Sequence, residues 1–189
     1  MSGAAFILAG GRSSRMGRDK ALLPFRGRRL IQHVAEQARG VTETITLVGH
    51  IDRYANLGYP VIADLIPDRG PLSGIHAALT HTTADWNLIL ACDMPRITPE
   101  FLSKLITRAE ASHALAVIPI GPDSIPQPLC AAYHRDCSAT IAGALQCNIQ
   151  KVTTALGPLP IDLWPVPQLL DFRNINTPEE WVSYTHAPR

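Results

Sequence analysis

The chain has 189 residues, of which 46% are hydrophobic and 17% charged, with a formal net charge of +1. That length can bury a full core, and the composition excludes a disordered or low-complexity chain. Near-zero net charge excludes global attraction to nucleic acid or an anionic membrane, so any anion site has to be local.

Ala5-Phe6-Ile7-Leu8-Ala9 is an apolar run, and the residues from Phe6 to Ala9 predict a buried strand. It leads into Gly10-Gly11-Arg12-Ser13-Ser14-Arg15-Met16-Gly17-Arg18-Asp19-Lys20. Glycines let backbone N–H groups approach phosphate oxygens, and Arg and Lys neutralise them, so this loop suits a polyphosphate. The spacing is neither G-x-G-x-x-G nor the P-loop, because Gly17 follows Gly11 only after five residues and Lys20 precedes Ala21. Lys20 is the point charge for a phosphate and Arg15 the fork for bidentate contact. Arg26, Arg28 and Arg29 form a second basic cluster that reads as a solvated turn.

Leu30 to Arg39 reads as a helix, with Ile31, Val34, Ala35 and Ala38 on one face. Thr44 to Val48 and Pro60 to Ala63 read as strands. Pro71 to Thr80 suits a helix that packs Leu72, Ile75, Ala78 and Leu79. Trp86 to Ala91 is apolar apart from Asn87 and reads as a strand. Thr98-Pro99-Glu100 opens a helix running to about Glu110, and Ala114 to Ile118 is the next strand. Gly121 to Pro128 reads as a loop, Leu129 to Tyr133 as a strand and Cys137 to Gln146 as a helix. Gly157 to Pro167 holds four prolines, which bars it from being a central strand throughout. Thr177-Pro178-Glu179-Glu180 repeats the cap signature and opens a last helix. This alternation predicts an α/β fold, a mostly parallel sheet covered by helices on both faces, in one domain over 1–189. No apolar run is long enough to span a membrane, and Met1-Ser2-Gly3 leads into the first strand without a signal-peptide pattern. The expectation is a cytoplasmic protein.

In such sheets ligands sit beyond the carboxyl ends of strands, where the strand order reverses. Asp93, in Cys92-Asp93-Met94-Pro95, follows a buried strand directly. It is either a ligand for Mg²⁺, a hard cation that takes one or two carboxylates plus phosphate oxygens, or a turn or capping aspartate. Asp64 ends the shorter strand; it can accept two N–H donors of a guanine, bind ribose hydroxyls, or be a plain turn residue. Gly70 and Gly74 flank a helix start and can let the chain pass close to a ligand. Asn174 and Asn176 share one side if Asn174-Ile175-Asn176 is extended; they can contact metal, phosphate or a second substrate, or belong to a polar edge. The four cysteines, Cys92, Cys130, Cys137 and Cys147, form no C-x-x-C and read as reduced thiols. No G-x-S-x-G, H-E-x-x-H or H-x-x-E-H occurs, which leaves serine-hydrolase and metalloprotease chemistry without support.

Leu8-Ala9-Gly10-Gly11, Ser14-Arg15-Met16-Gly17, Asp19-Lys20, Gly70-Pro71-Leu72-Ser73-Gly74, Cys92-Asp93-Met94-Pro95 and Asn174-Ile175-Asn176-Thr177-Pro178-Glu179-Glu180 together resemble the molybdenum cofactor guanylyltransferases, in the family's order and over nearly the whole chain. The resemblance implies a three-layer, Rossmann-like fold of the nucleotide-diphospho-sugar-transferase kind, with a nucleotide-binding part over 1–120 and an acceptor part over 121–185. It implies Mg²⁺-dependent transfer of GMP from GTP to the phosphate of molybdopterin, releasing pyrophosphate. It assigns GTP contacts to Leu8, Ala9, Gly10, Lys20, Asp64 and Asp93, with Asp93 also the metal ligand; the loop reading adds Gly11 to the GTP contacts and Arg15 to the chemistry. Asn174 and Asn176 fall to the acceptor substrate, with looser matches at Gln127-Pro128-Leu129 and Lys151-Val152. Transient partners would be other cofactor-biosynthesis proteins or recipient molybdoenzymes, with no nucleic acid or membrane. Where some members carry a GTP-binding asparagine after the strand over 44–48, this chain reads Val48-Gly49-His50. The alternatives are a relative that uses CTP or a sugar-1-phosphate acceptor, and a non-catalytic nucleotide-binding protein.

Overall fold

Strand β1 (Ala4–Ala9) is buried at every residue, and that burial organises the molecule. Alternate side chains leave the strand on opposite sides. Ala5, Ile7 and Ala9 enter one hydrophobic core, and Ala4, Phe6 and Leu8 enter another. A strand that is apolar on both faces needs a cover on each, and helices supply both. The computed structural model describes residues 3–9, 19–66, 69–121, 124–166, 172–175, 177 and 180–183.

After β1 come a 3₁₀ turn (Lys20–Leu22), strands β2 (Pro24–Phe25) and β3 (Arg28–Arg29), and helix α1 (Leu30–Ala38). Strand β4 (Thr44–Gly49), the single-turn helix α2 (Ile51–Tyr54) and strand β5 (Val61–Ile62) follow. Helix α3 (Pro71–His81), strand β6 (Trp86–Ala91), helix α4 (Pro99–Ala111) and strand β7 (Ala116–Ile120) continue the alternation. Strand β8 (Cys130–His134), helix α5 (Cys137–Gln146), the short helix α6 (Val152–Ala155) and strand β9 (Ile161–Pro165) complete it.

Seven strands form one sheet in the order β5-β4-β1-β6-β8-β7-β9. All neighbours are parallel except around β8, which runs antiparallel to both β6 and β7. Helices α1 and α4 cover the face holding Ile7, and α3, α5 and α6 cover the face holding Phe6. Each fully buried Leu or Ile contributes about 1.5–3 kcal/mol, so the two helix layers are held mainly by apolar burial.

The helix faces read from the sequence are the buried ones: Ile31, Val34, Ala35 and Ala38 in α1, and Leu72, Ile75, Ala78 and Leu79 in α3. Thr98 caps α4 by accepting from Phe101 N at 3.3 Å. Thr177 and Glu180 cap each other's backbone N–H groups at 3.2 and 3.1 Å, ahead of a helical segment at 180–183. The proline-rich segment yields β9 at the edge of the sheet, where a residue without an N–H is tolerated. The arginine cluster forms the β2–β3 hairpin, turned by Arg26 and Gly27 at φ 47° and 79°. Two positive φ values in succession match the right-handed strand twist of a two-residue turn.

Gly49 ends β4 against the end of β1. A Cβ there would lie 2.6 Å from the Ala9 carbonyl oxygen and 2.8 Å from the Tyr54 ring. Both neighbours are packed, so a side chain at 49 has no room. Gly49→Ala is expected to cost about 1–3 kcal/mol through overpacking, read as a lowered midpoint in urea unfolding with unchanged slope.

Candidate active site

Strand order reverses between β1 and β6: the chain runs outward from β1 through β4 to β5, then returns to place β6 on β1's other side. The carboxyl ends of β1 and β6 therefore flank the switch point, where ligands bind in open α/β sheets. Cys92 N donates to Leu8 O at 3.2 Å and fixes the turn that follows β6. Asp93 stands in that turn.

Lys20 Nζ lies 2.8 Å from Asp93 Oδ2, and both side chains are more than four-fifths buried. The two residues are 73 positions apart in sequence. Their charges meet in a partly desolvated place, where each offsets the other's burial cost. Lys20 opens the 3₁₀ turn, and Asp19 caps that turn by accepting from Ala21 N at 3.0 Å. The Asp93 turn is braced from α1, where His33 Nε2 donates to Pro95 O at 2.9 Å. Burial lowers the His33 pKa, which favours the neutral ring that makes this bond.

Two further oxygens belong to this place. Ile175 N donates to Asp93 O at 3.0 Å, so the segment 172–175 lies along the same turn. Ile175 itself is buried with Phe25 and Leu30 beside Trp181, which pins the segment to the hairpin. The residues 172–175 form no strand, so the predicted same-side pairing of Asn174 with Asn176 is not tested by strand geometry. Asp93 Oδ1 and Asn174 Oδ1 are buried oxygens that accept no hydrogen bond from the described residues. Among the described residues no three His, Cys, Asp or Glu side chains group around a metal position. The protein thus offers one carboxylate and an amide oxygen. That set suits Mg²⁺, which keeps most of its positions for water and phosphate oxygens.

Asp64 lies just past β5 and is half-buried. Burial raises its pKa, and the nearby His50 partly opposes that rise. Gly74 of α3 makes room for it: a Cβ at 74 would stand 3.3 Å from Asp64 Oδ1 and 3.3 Å from a Leu8 methyl. Ser73 fixes the backbone leading from Asp64, its Oγ donating to Ile66 O at 2.7 Å and accepting from Ile66 N at 3.2 Å. Nothing in the residue type of Ser73 alone signals this role; the signal is its place in Gly70-Pro71-Leu72-Ser73-Gly74. Gly70 caps α3 at φ 66° with Pro71 at the first helical position.

Of the predicted site residues, Leu8, Ala9, Lys20, Asp64, Asp93 and Asn174 are thus placed around one rim. Gly10, Gly11, Arg15 and Asn176 lie outside the described residues. Gln127-Pro128-Leu129 reaches the same rim because β8 is reversed: Ala91 N donates to Leu129 O at 2.7 Å.

A parallel sheet with a lysine–carboxylate pair at its switch point and a second carboxylate two strands away has the layout of a nucleotide-handling transferase. The model of the MobA-like NTP transferase domain matches residues 5–158. A protein of Flavobacterium johnsoniae named "Probable molybdenum cofactor guanylyltransferase" is 34% identical over 93% of this chain and 92% of its own. The molybdenum cofactor guanylyltransferase of Syntrophotalea carbinolica is 39% identical over 74% of this chain and 66% of its own. Among solved structures, molybdopterin-guanine dinucleotide biosynthesis protein A from Archaeoglobus fulgidus superposes with a TM-score of 0.83 at 28% identity, covering 96% of both chains. A CMP:2-keto-3-deoxy-manno-octonic acid synthetase shares the fold at 17% identity with a TM-score of 0.78. The chain belongs to the MobA-like NTP transferase family, among the molybdenum cofactor guanylyltransferases.

The raised pKa of Asp64 has a stability consequence. A carboxyl group favoured in its neutral form by folding stabilises the fold below its unfolded pKa, and that contribution is lost as pH rises through the folded pKa. At neutral pH the ionised Asp64 is therefore a cost to the nucleotide-free protein. Asp64→Asn is expected to raise Tm at pH 7.5, with the advantage shrinking as pH falls to about 4, in parallel calorimetric scans of both proteins.

Proposed function

We propose that this protein transfers GMP from GTP to the terminal phosphate of molybdopterin, forming the guanine dinucleotide cofactor and releasing pyrophosphate. The observation that carries the reading is the Lys20–Asp93 pair at the switch point, with Asp64 on the same rim. The names of the relatives supply the nucleotide and the acceptor.

The acceptor is a phosphate monoester, whose second pKa is about 6, so near neutral pH it is already a dianion. It needs no general base, which agrees with a site built from Lys, Asp and Asn. One of its oxygens attacks the α-phosphorus of GTP; the new P–O bond forms as the bond to the β-phosphate oxygen breaks, and pyrophosphate leaves with that electron pair. The barrier lies in bringing anions together, so positioning and charge stabilisation dominate. Lys20 takes charge on the leaving pyrophosphate, and Arg15 and the glycine-rich loop are assigned the same task from sequence. Asp64 accepts the guanine N–H donors, and Leu8, Ala9, Gly10 and Gly11 line the nucleotide with backbone. Asp93 would hold Mg²⁺, with the Asn174 amide oxygen available from the neighbouring segment, and the ion would supply charge neutralisation at the phosphates. Asn174 and Asn176 belong to the acceptor side, together with Gln127-Pro128-Leu129 and Lys151-Val152. A cytoplasmic setting is part of the same proposal, supported by four cysteines that are all free. Among the described residues no helix is long and apolar enough to cross a membrane.

Lys20→Ala and Asp93→Asn are each expected to lower kcat by roughly 10²–10³ while the far-UV circular dichroism stays unchanged. Pyrophosphate release from GTP with molybdopterin measures it, and a near-wild-type rate removes that residue from the chemistry. GTP should raise Tm in Mg²⁺ far more than CTP. Asp64→Asn should weaken GTP binding by roughly ten- to a hundredfold, since a bidentate contact to a base is worth about 1–3 kcal/mol. Equal stabilisation by CTP would favour the cytidylyl alternative.

A further inference from the structure

Tyr54 has no part in the chemistry above, yet it is one of the largest fully buried side chains. It ends α2, beneath the carboxyl ends of β1 and β4. Its hydroxyl lies 2.8 Å from Asp19 Oδ2 and 3.3 Å from the Ala9 carbonyl oxygen. The hydroxyl has one proton, so the carboxylate takes the main bond and the carbonyl is a weaker, shared acceptor. Arg53, the preceding residue, adds a bond from Nη1 to the same Asp19 Oδ2 at 2.9 Å.

Ala9 and Asp19 are the residues that bound the segment 10–18 in sequence, and one buried oxygen touches both. The other Asp19 oxygen caps the turn beginning at Lys20. The contact exists because Gly49 lacks a side chain: a Cβ there would meet both the Tyr54 ring and Ala9 O. The two neighbours that forbid a side chain at 49 are thus the two partners that the hydroxyl contact joins. Burial raises the Tyr54 pKa well above the usual phenol range, so the group stays a proton donor at any working pH.

We propose that Tyr54 is a positioning residue for the transfer reaction: through Asp19 it holds the turn that aims Lys20 at Asp93 and at the phosphates. The proposal rests on the reading of Lys20 given above. Tyr54→Phe removes the hydroxyl and keeps the ring, and Tyr59→Phe is the control, because the Tyr59 hydroxyl accepts from the exposed Arg39 at 3.3 Å, away from Asp19 and Lys20.

With saturating molybdopterin, Tyr54→Phe is expected to lower kcat about tenfold, with KM for GTP changing far less, because a misaimed cation harms the transition state more than binding. Added to Lys20→Ala, it should cost nothing further. Losses that multiply in the double variant would overturn the positioning role, as would an unchanged kcat in the single one. Hydrogen exchange provides a readout that needs no activity: the Ala21 amide, bonded to Asp19, should exchange about tenfold faster in Tyr54→Phe and normally in Tyr59→Phe. Unchanged Ala21 exchange refutes the clasp whatever the enzyme does. A wild-type protein that neither binds nor consumes GTP defeats the proposed function instead, and the exchange result still decides whether Tyr54 holds the turn. Asp19→Asn, which weakens the same contact from its other end, should reproduce both effects if Tyr54→Phe unfolds.

Discussion

Everything on the rim is arranged around one cation meeting one carboxylate where two parallel strands part. A lysine ammonium and an aspartate, each mostly shielded from water, offset each other's charge there. Their meeting demands that the ends of β1 and β6 be adjacent, which the sheet order provides, and that both following turns be fixed. Helix α1 braces one turn through His33, and α2 grips the other through Asp19.

The fold was largely legible because burial on two faces leaves a plain imprint. Phe6 to Ala9 and Trp86 to Ala91 are short apolar runs of a kind only a covered parallel strand requires. Proline and threonine marked the starts of α3, α4 and the last helix through bonds that act locally. The reversed direction of β8 was not legible, since Leu129 to Tyr133 looks the same in either sense. Its direction depends on which neighbour it pairs with, and that is a property of the whole sheet.

The candidate site was readable where charge stood at a strand end, as with Asp64 and Asp93, and at Lys20 after the first strand. It was unreadable where a residue acts by reaching another part of the chain. Tyr54 sits in Ile51-Asp52-Arg53-Tyr54, a stretch too short and too polar to predict as a helix, and its partners are 35 and 45 positions away. Gly49 looked like the loss of a contact. In three dimensions it is the space that Tyr54 occupies.

One reversed strand divides the rim into two territories with separate origins. Among the described residues, the ends of β1 and β5 with the start of α3 build one wall, and residues 127–129 with the 172–175 segment build the other, beside the end of β6. The second wall hangs from β8 and from the chain's last turns, so its shape can be rewritten without disturbing a single strand pairing of the first. A scaffold with this division can hold one wall fixed while the other is rebuilt, and the same frame recurs at 17% identity in a CMP:2-keto-3-deoxy-manno-octonic acid synthetase.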